Sequence, residues 1–301
     1  MANTITLAKR YVPLLDEVYK TASLTNDMES DASLAREGAN TNEIIIPKIS
    51  MDGLADYDRN SGYVSGDVSL TWETVKFNYE RGRMFTVDNM DNEETQNFAF
   101  GRLAGEFIRT RVVPELDAFR FAALAGTVGI SKVSAGATLA TGADVVAALR
   151  TAISGMDEAE VPVNNRILYI TPTLYGLIMD MDTTKSKEVL ARFEKIVQVP
   201  QSRFYTAIDL KDGTTSGEEK GGYVKHVKNS QVSGDTDGLD INFMIVEKSA
   251  VLQFTKHAVP KIISPEMNQN ADAWKYGYRN YGLIDVYENK TAGIYLHHKA
   301  S

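Results

Sequence analysis

An α+β architecture is what the sequence predicts, on three observations. Residues 68–87 alternate apolar and polar side chains with the two-residue period of strands, and residues 93–125 space their apolar side chains by three and four, as a helix does. Between 141 and 256, short apolar runs suited to buried strands alternate with further helical spacings.

Residues 1–60 are polar, with Gly38, Gly53 and the acidic patch "DMESD" around a single apolar run, "EIIIPKI". Such a segment cannot bury much of itself. It is predicted to be an N-terminal arm lying on some other surface, because Ile44, Ile45 and Ile46 would otherwise face water.

Residues 61–90 read as an extended β-hairpin. Val68, Leu70 and Trp72, then Val75, Phe77 and Tyr79, alternate with polar residues; a second run spans 84–87, and Gly82 within "ERGR" is placed at the turn. At about 3.3 Å per residue, residues 68–79 would reach roughly 40 Å, against a radius of gyration of about 19 Å for a compact chain of this length. Such a hairpin projects from the molecule.

Helical spacing follows in Phe100, Leu103, Ala104, Phe107 and Ile108, then in Val112, Leu116, Phe119 and Ala123. Asp91 with Glu94 three residues on resembles a capping box. A helix over 93–125 would span about 50 Å, with Pro114 expected to kink or interrupt it.

A Gly/Ser/Thr-rich connector over 126–142 opens a new unit. Thr141 and Asp144 suit the cap of a helix presenting Val145, Leu149, Ala152 and Met156 on one face. "RILYIT" is a buried strand, Thr171 and Pro172 open the helix "PTLYGLIMDM", and "RFYTAIDL" and "INFMIVE" are further strands. Residues 211–240 read as a surface loop. The C-terminal stretch "AWKYGYRNYGLIDVYENKTAGIYLHHK" holds Tyr276, Tyr278, Tyr281, Tyr287 and Tyr295 and suggests long strands paired about "ENKTAG".

Composition narrows the chemistry. Forty acidic against thirty-two basic residues give a net charge of −8, without a Lys/Arg block, which argues against tight phosphate-driven nucleic-acid binding. With no cysteine there is no disulfide, thiolate metal site or thiol nucleophile, in keeping with a reducing cytoplasm. No signal peptide and no run of 18 apolar residues is apparent, so no membrane contact is expected.

Gly-Lys pairs, G-x-G-x-x-G, G-x-S-x-G and H-E-x-x-H are all missing. Of the four histidines, His297 and His298 are expected to be solvated near the C-terminus. Asp235, Asp237 and Asp240 resemble a calcium loop without its position-6 Gly and position-12 Glu, so they read as a water-facing turn. Arg81 and Arg83 around Gly82 suit a phosphate clamp or, more simply, an exposed turn. "NKT" at Asn289 has the form of a glycosylation sequon with no secretory signal. No catalytic residue, cofactor site or metal site is assigned.

Three segments carry a resemblance: "YDRNSGYVSGDVSLTWETVKFNYERGRMFTVDNMDNEET", "VVPELDAFRFAALA" and "VPKIISPEMNQNADAWKYGYRNYGLIDVYENKTAGIY". With the order of arm, hairpin, long helix, α+β unit and tyrosine-rich strands, the chain resembles the major capsid proteins of tailed bacteriophages, the Hong Kong 97-type fold. The segments are similar to coat proteins of phages and prophages of Gram-positive bacteria.

The resemblance implies an N-arm at 1–60, an extended loop (E-loop) at 61–90, a peripheral (P) domain with its spine helix at 91–140 and 257–301, and an axial (A) domain at 141–256. It implies a structural protein and not an enzyme: a subunit that self-assembles as hexamers and pentamers into an icosahedral shell. That shell encloses double-stranded DNA without sequence-specific contact, with a separate scaffolding protein and a portal as partners. Assembly would take place in the host cytoplasm, and the protein would reside in the virion capsid.

Val68, Leu70, Trp72, Val75, Phe77, Tyr79, Arg81 and Arg83 are then expected at contacts between subunits. Some relatives cross-link an E-loop lysine to a neighbour's asparagine; Lys76 lies in the hairpin, with Asn268 or Asn289 as acceptors to consider, but the acceptor motif is not matched. Two other readings compete, a nanocompartment (encapsulin-like) shell of the same fold and an enzyme built around Asp235, Asp237 and His226.

Overall fold

The computed structural model of the chain describes residues 23–30, 36–37, 43–94, 103, 105–133, 135–181, 183–232 and 236–300. At its centre lie the two most continuously apolar runs, β6 (Arg166–Ile170) and β10 (Ile241–Glu247), which pair antiparallel and are buried at every position. The five-stranded sheet is completed by β13 (Ile294–His298) beside β10, β5 (Ser131–Lys132) beside β13, and β7 (Lys195–Gln198) parallel to β6.

Strand alternation divides its side chains between two cores. Ile167, Tyr169, Met244 and Val246 face one that includes Phe121 and Leu124, while Leu168, Ile170, Phe243 and Ile245 meet Val145, Leu149, Met156, Leu174 and Ile178. The latter come from α3 (Gly142–Glu158) and α4 (Pro172–Met181). Thr141 caps α3 as the sequence predicts: its Oγ1 accepts from Asp144 N at 3.3 Å, and Asp144 Oδ2 accepts from Thr141 N at 3.0 Å.

Beside this unit stands a three-stranded antiparallel sheet of β11 (Val251–Ile263), β12 (Ala273–Val286) and β4 (Tyr79–Asp88). One face carries Tyr79, Phe85, Tyr276 and Tyr278 and is covered by the long helix. Phe107 packs there edge-on at 4.8 Å from Phe85 and 6.4 Å from Tyr278, between ring centroids. The helix is not uniform. Residues 105–107 run into a π-helical turn, Ile108–Val112, before α2 (Val113–Gly126). Pro114 sits just past that turn, where the wider ring relieves the clash and missing hydrogen bond that a proline imposes on a regular helix. Phe100 lies outside the described residues.

Several expectations are corrected. The hairpin is not closed at Gly82: β3 (Val68–Lys76) pairs with β2 (Glu43–Met51), upstream of it, and β4 pairs with β12 instead. Gly82 lies within β4, where an added Cβ would stand 2.8 Å from Tyr278 O, so it serves close strand approach and not a turn. Between β3 and β4, the Asn78 side chain donates to Ile284 O at 2.7 Å and accepts from Ile284 N at 3.2 Å, standing in for backbone pairing where the chain breaks away.

Asp91 is no cap, because it lies inside α1 (Asn89–Glu94); Asp88 takes that role, its Oδ1 accepting from Met90 N at 2.9 Å. "RFYTAIDL" starts on the last residue of a helical turn, Gln201–Arg203, and is a strand only at its end, the short β8 (Ile208–Leu210), which pairs with β9 (Tyr223–Lys225) inside the stretch read as loop. "ENKTAG" joins no hairpin, because β12 pairs with β11 whereas β13 enters the five-stranded sheet; the C-terminal strand thus parts from the sheet grouped with it in 257–301.

His297 and His298 are buried, not solvated. The His297 ring stacks on Phe243 at 4.9 Å, and burial, with a smaller contribution from His298, pushes its pKa down to about 4. Residues 23–30, expected to lie on some other surface, pack on their own chain, with Met28 fully buried in its core.

Candidate intersubunit surface

The β2–β3 hairpin changes the face on which it is apolar halfway along its length. In an antiparallel ladder, residues directly opposite one another point the same way. Near the base, Ile44 opposite Val75, with Ile46 on the same face, buries against Leu252 and Leu283 of the three-stranded sheet. Further out that face turns polar, with Lys48 opposite Thr71 and Ser50 opposite Ser69. The opposite face there is apolar: Ile49 opposite Leu70, Met51 opposite Val68, and Trp72 beside them.

These outer residues are largely exposed among the described residues. Leu70 is 53% and Trp72 47% exposed, against 6% for Val75. Nine of the nineteen large apolar residues exposed among the described residues fall between Ile49 and Trp72, so this apolar surface is concentrated in one projection and not scattered. At about 3.4 Å per residue, each nine-residue strand is roughly 30 Å long.

The tip is held in one conformation by its own polar groups. Asp58 Oδ1 accepts from Asn60 N and its Oδ2 from Ser61 Oγ, both at 2.8 Å, while Gly62 supplies a positive φ of 81°. Tyr57 and Tyr63 pack edge to face at 4.8 Å across that turn. A preformed tip loses less conformational freedom when it docks.

The residues predicted for this surface divide. Val68, Leu70 and Trp72 lie on the exposed apolar face. Val75 and Tyr79 are buried within their own chain and are withdrawn as contacts between copies. Phe77 is half-buried, stacked on Tyr281 at 4.7 Å with the Lys256 ammonium 5.3 Å above its ring.

Arg81, half-buried, and Arg83, exposed, both reach the 211–222 loop: Arg81 donates to Lys211 O at 2.7 Å, and Arg83 donates to Lys220 O and Glu219 O at 2.9 Å each. Arg81 also binds Glu115 at 2.8 Å. Tyr79 donates to that carboxylate, and burial, then Glu115, pushes the phenol well above its usual range. Both guanidiniums are thus engaged by protein groups where a phosphate clamp would need them open.

Ile49, Met51, Leu54, Tyr57, Tyr63 and Val64 were not singled out from sequence. For Ile49 and Met51 the signal is the alternation in "IIIPKISM", which matches that of 68–76 once the two runs are paired; Leu54, Tyr57, Tyr63 and Val64 lie outside it. Asp237 accepts from Lys228 N at 2.8 Å. Asp240 is pinned between Lys225 and Lys299, whose bonds outweigh the upward push of burial and hold its carboxyl below the usual range. His226 Nδ1 lies 2.7 Å from Asp209, Asp235 is outside the described residues, and among the described residues no three His, Asp or Glu side chains are grouped to hold a metal ion.

No protein family and no curated protein matches the sequence. Solved structures do match in fold. A structure of Mycobacterium phage Che8 aligns over 99% of this chain and 96% of its own at 15% identity, with a TM-score of 0.58. The capsid structure of the cyanophage P-SCSP1u aligns over 98% and 93% at 12% identity, with a TM-score of 0.63. A virus-like particle from Pyrococcus furiosus covers less, 85% and 86%, at 12% identity and a TM-score of 0.50. The chain shares the α+β, Hong Kong 97-type fold of these structures.

Proposed function

We propose that the chain is the major capsid subunit of a tailed bacteriophage, a structural protein that assembles with copies of itself into an icosahedral shell. The observation that carries this reading is the change of apolar face along the β2–β3 hairpin. Its base stabilises its own subunit, and its outer half presents exposed apolar area that a neighbouring molecule can cover. Burying that area is worth about 25 cal/mol per Å², and likeness to phage capsids over nearly the whole chain supports a second copy as the cover.

In this reading residues 43–76 form the E-loop, the helix through 105–126 is the spine, β4, β11 and β12 belong to the P-domain, and the five-stranded sheet with its helices forms the A-domain. The sequence boundaries shift accordingly, with β2 joining the E-loop and β13 the A-domain. Double-stranded DNA is the content, and an acidic subunit suits it, since DNA must pack and leave without adhering to the wall. A scaffolding protein and a portal complete the partner set, and the virion is the destination. Among the described residues no helix is long and apolar enough to cross a membrane.

The test is to replace residues 48–71 with a two-residue Asn-Gly turn and compare sedimentation and electron micrographs with the parent. The expected result is a soluble subunit that forms no closed shell. Shells of normal size from the shortened chain would overturn the reading. Parent shells isolated with an enzyme inside, and no DNA, would favour the nanocompartment instead.

A further inference from the structure

Two short connections, side by side, join the five-stranded and three-stranded sheets. β10 passes to β11 through the turn Lys248–Ala250, and β12 passes to β13 through Glu288–Gly293. Two adjacent links of this kind define a hinge axis, across which β6, β10, β11, β12 and α2 share one apolar core, a contact less directional than hydrogen bonds.

Residues 23–30 add directional bonds to both sides. Asp117 of α2, fully buried, receives Ser23 Oγ at 2.7 Å, Leu24 N at 3.1 Å and Thr25 Oγ1 at 2.8 Å. Thr25 Oγ1 also accepts from Arg120 at 2.7 Å. On one side Asp27 binds Lys195 of β7, the edge strand of the five-stranded sheet, at 2.6 Å. On the other, Ser30 Oγ donates to Val251 O at 2.8 Å and accepts from Gln253 N at 3.0 Å, and Gln253 Nε2 donates to Thr25 O at 3.1 Å; Val251 and Gln253 open β11. We propose that residues 23–30 are an intrachain strap that fixes the angle between the two sheets.

The bonding favours a strap over an accidental crossing. Directional bonds to a buried carboxylate specify position: a one-residue slip would strip Asp117 of several donors at once, whereas an apolar contact would tolerate it. Met28 then locks the strap by entering the core. In a shell subunit, on the reading above, the fixed angle sets the curvature at which copies meet.

Hydrogen exchange on the unassembled subunit tests the strap separately from the shell. Ser23→Ala with Thr25→Val removes its hydroxyls, and amides of 195–198 and 251–253 are expected to exchange about tenfold faster, with those of β6 and β10 unchanged. Asp27→Lys acts at a surface pair and should speed the same amides by about threefold, restored when combined with Lys195→Asp. Unchanged exchange at both ends, no restoration in the swap, or equal acceleration throughout β6 and β10 would each overturn the proposal.

Discussion

Asp117 and Arg203 form an ion pair in the interior, Oδ2 to a guanidinium nitrogen at 3.0 Å, with both side chains almost completely buried. Arg120 lies next to them, and burial lowers its pKa even though Asp117 acts in the other direction. One carboxylate therefore steadies two buried guanidiniums. Asp117→Ala is expected to destabilise the subunit by about 3–5 kcal/mol, because the arginines remain without the charge that compensated them. Urea unfolding read by tyrosine fluorescence measures this, and a loss under 1 kcal/mol would mean the pair is solvated.

Ile46 and Leu70 lie on opposite faces of one hairpin, and their substitutions should separate stability from assembly. Ile46→Ala removes a residue packed in the subunit's own core and should cost about 2–5 kcal/mol. Leu70→Ala should change subunit stability by less than about 0.5 kcal/mol while lowering shell yield. Thermal melts beside sedimentation of the same preparations distinguish the two; a destabilised Leu70→Ala subunit would contradict the exposed placement.

Gly82→Ala tests where the chain turns. In an exposed turn the substitution would be mild, but within β4 the new methyl group meets Tyr278 O at 2.8 Å. A loss of about 1–3 kcal/mol is expected from forcing the strands apart, with faster amide exchange along β4 and β12.

Local periodicity made individual elements legible. Val145, Leu149 and Met156 proclaim α3 and its buried face, and the unbroken apolar runs of β6 and β10 could only be interior strands. Pairing was another matter. Two alternating runs around "ERGR" look alike whether they bind each other or separate partners, and nothing local records that β4 belongs with β12. The outer hairpin face is legible in part: the odd step from Trp72 to Val75 moves the apolar side chains to the other face of the strand, but which face the subunit covers shows only once β2 is set opposite β3. Glu115, Asp117 and Arg120 in the otherwise apolar "VVPELDAFRFAALA" are an available sign of a buried polar junction, since charge on a core-facing helix needs a partner.

His297 gives a pH dependence with a definite sign. Asn242 Nδ2 lies 3.1 Å from His297 Nδ1. An amide nitrogen only donates, so Nδ1 accepts and the ring is neutral, its proton on Nε2. Protonating Nδ1 would set one donor against another in a buried site beside His298. With a native pKa of about 4 against an ordinary value of 6.5, the unfolded chain binds the proton first. Stability from this residue is therefore complete above pH 6.5, declines as pH falls toward 4, and changes no further below that, a total on the order of 2 kcal/mol. His297→Asn keeps an acceptor near Nδ1 without a titrating ring. Urea unfolding of both proteins between pH 7.5 and 4 should give curves that converge toward acid pH, the parent losing stability faster; parallel curves would mean that His297 keeps an ordinary pKa in the folded chain.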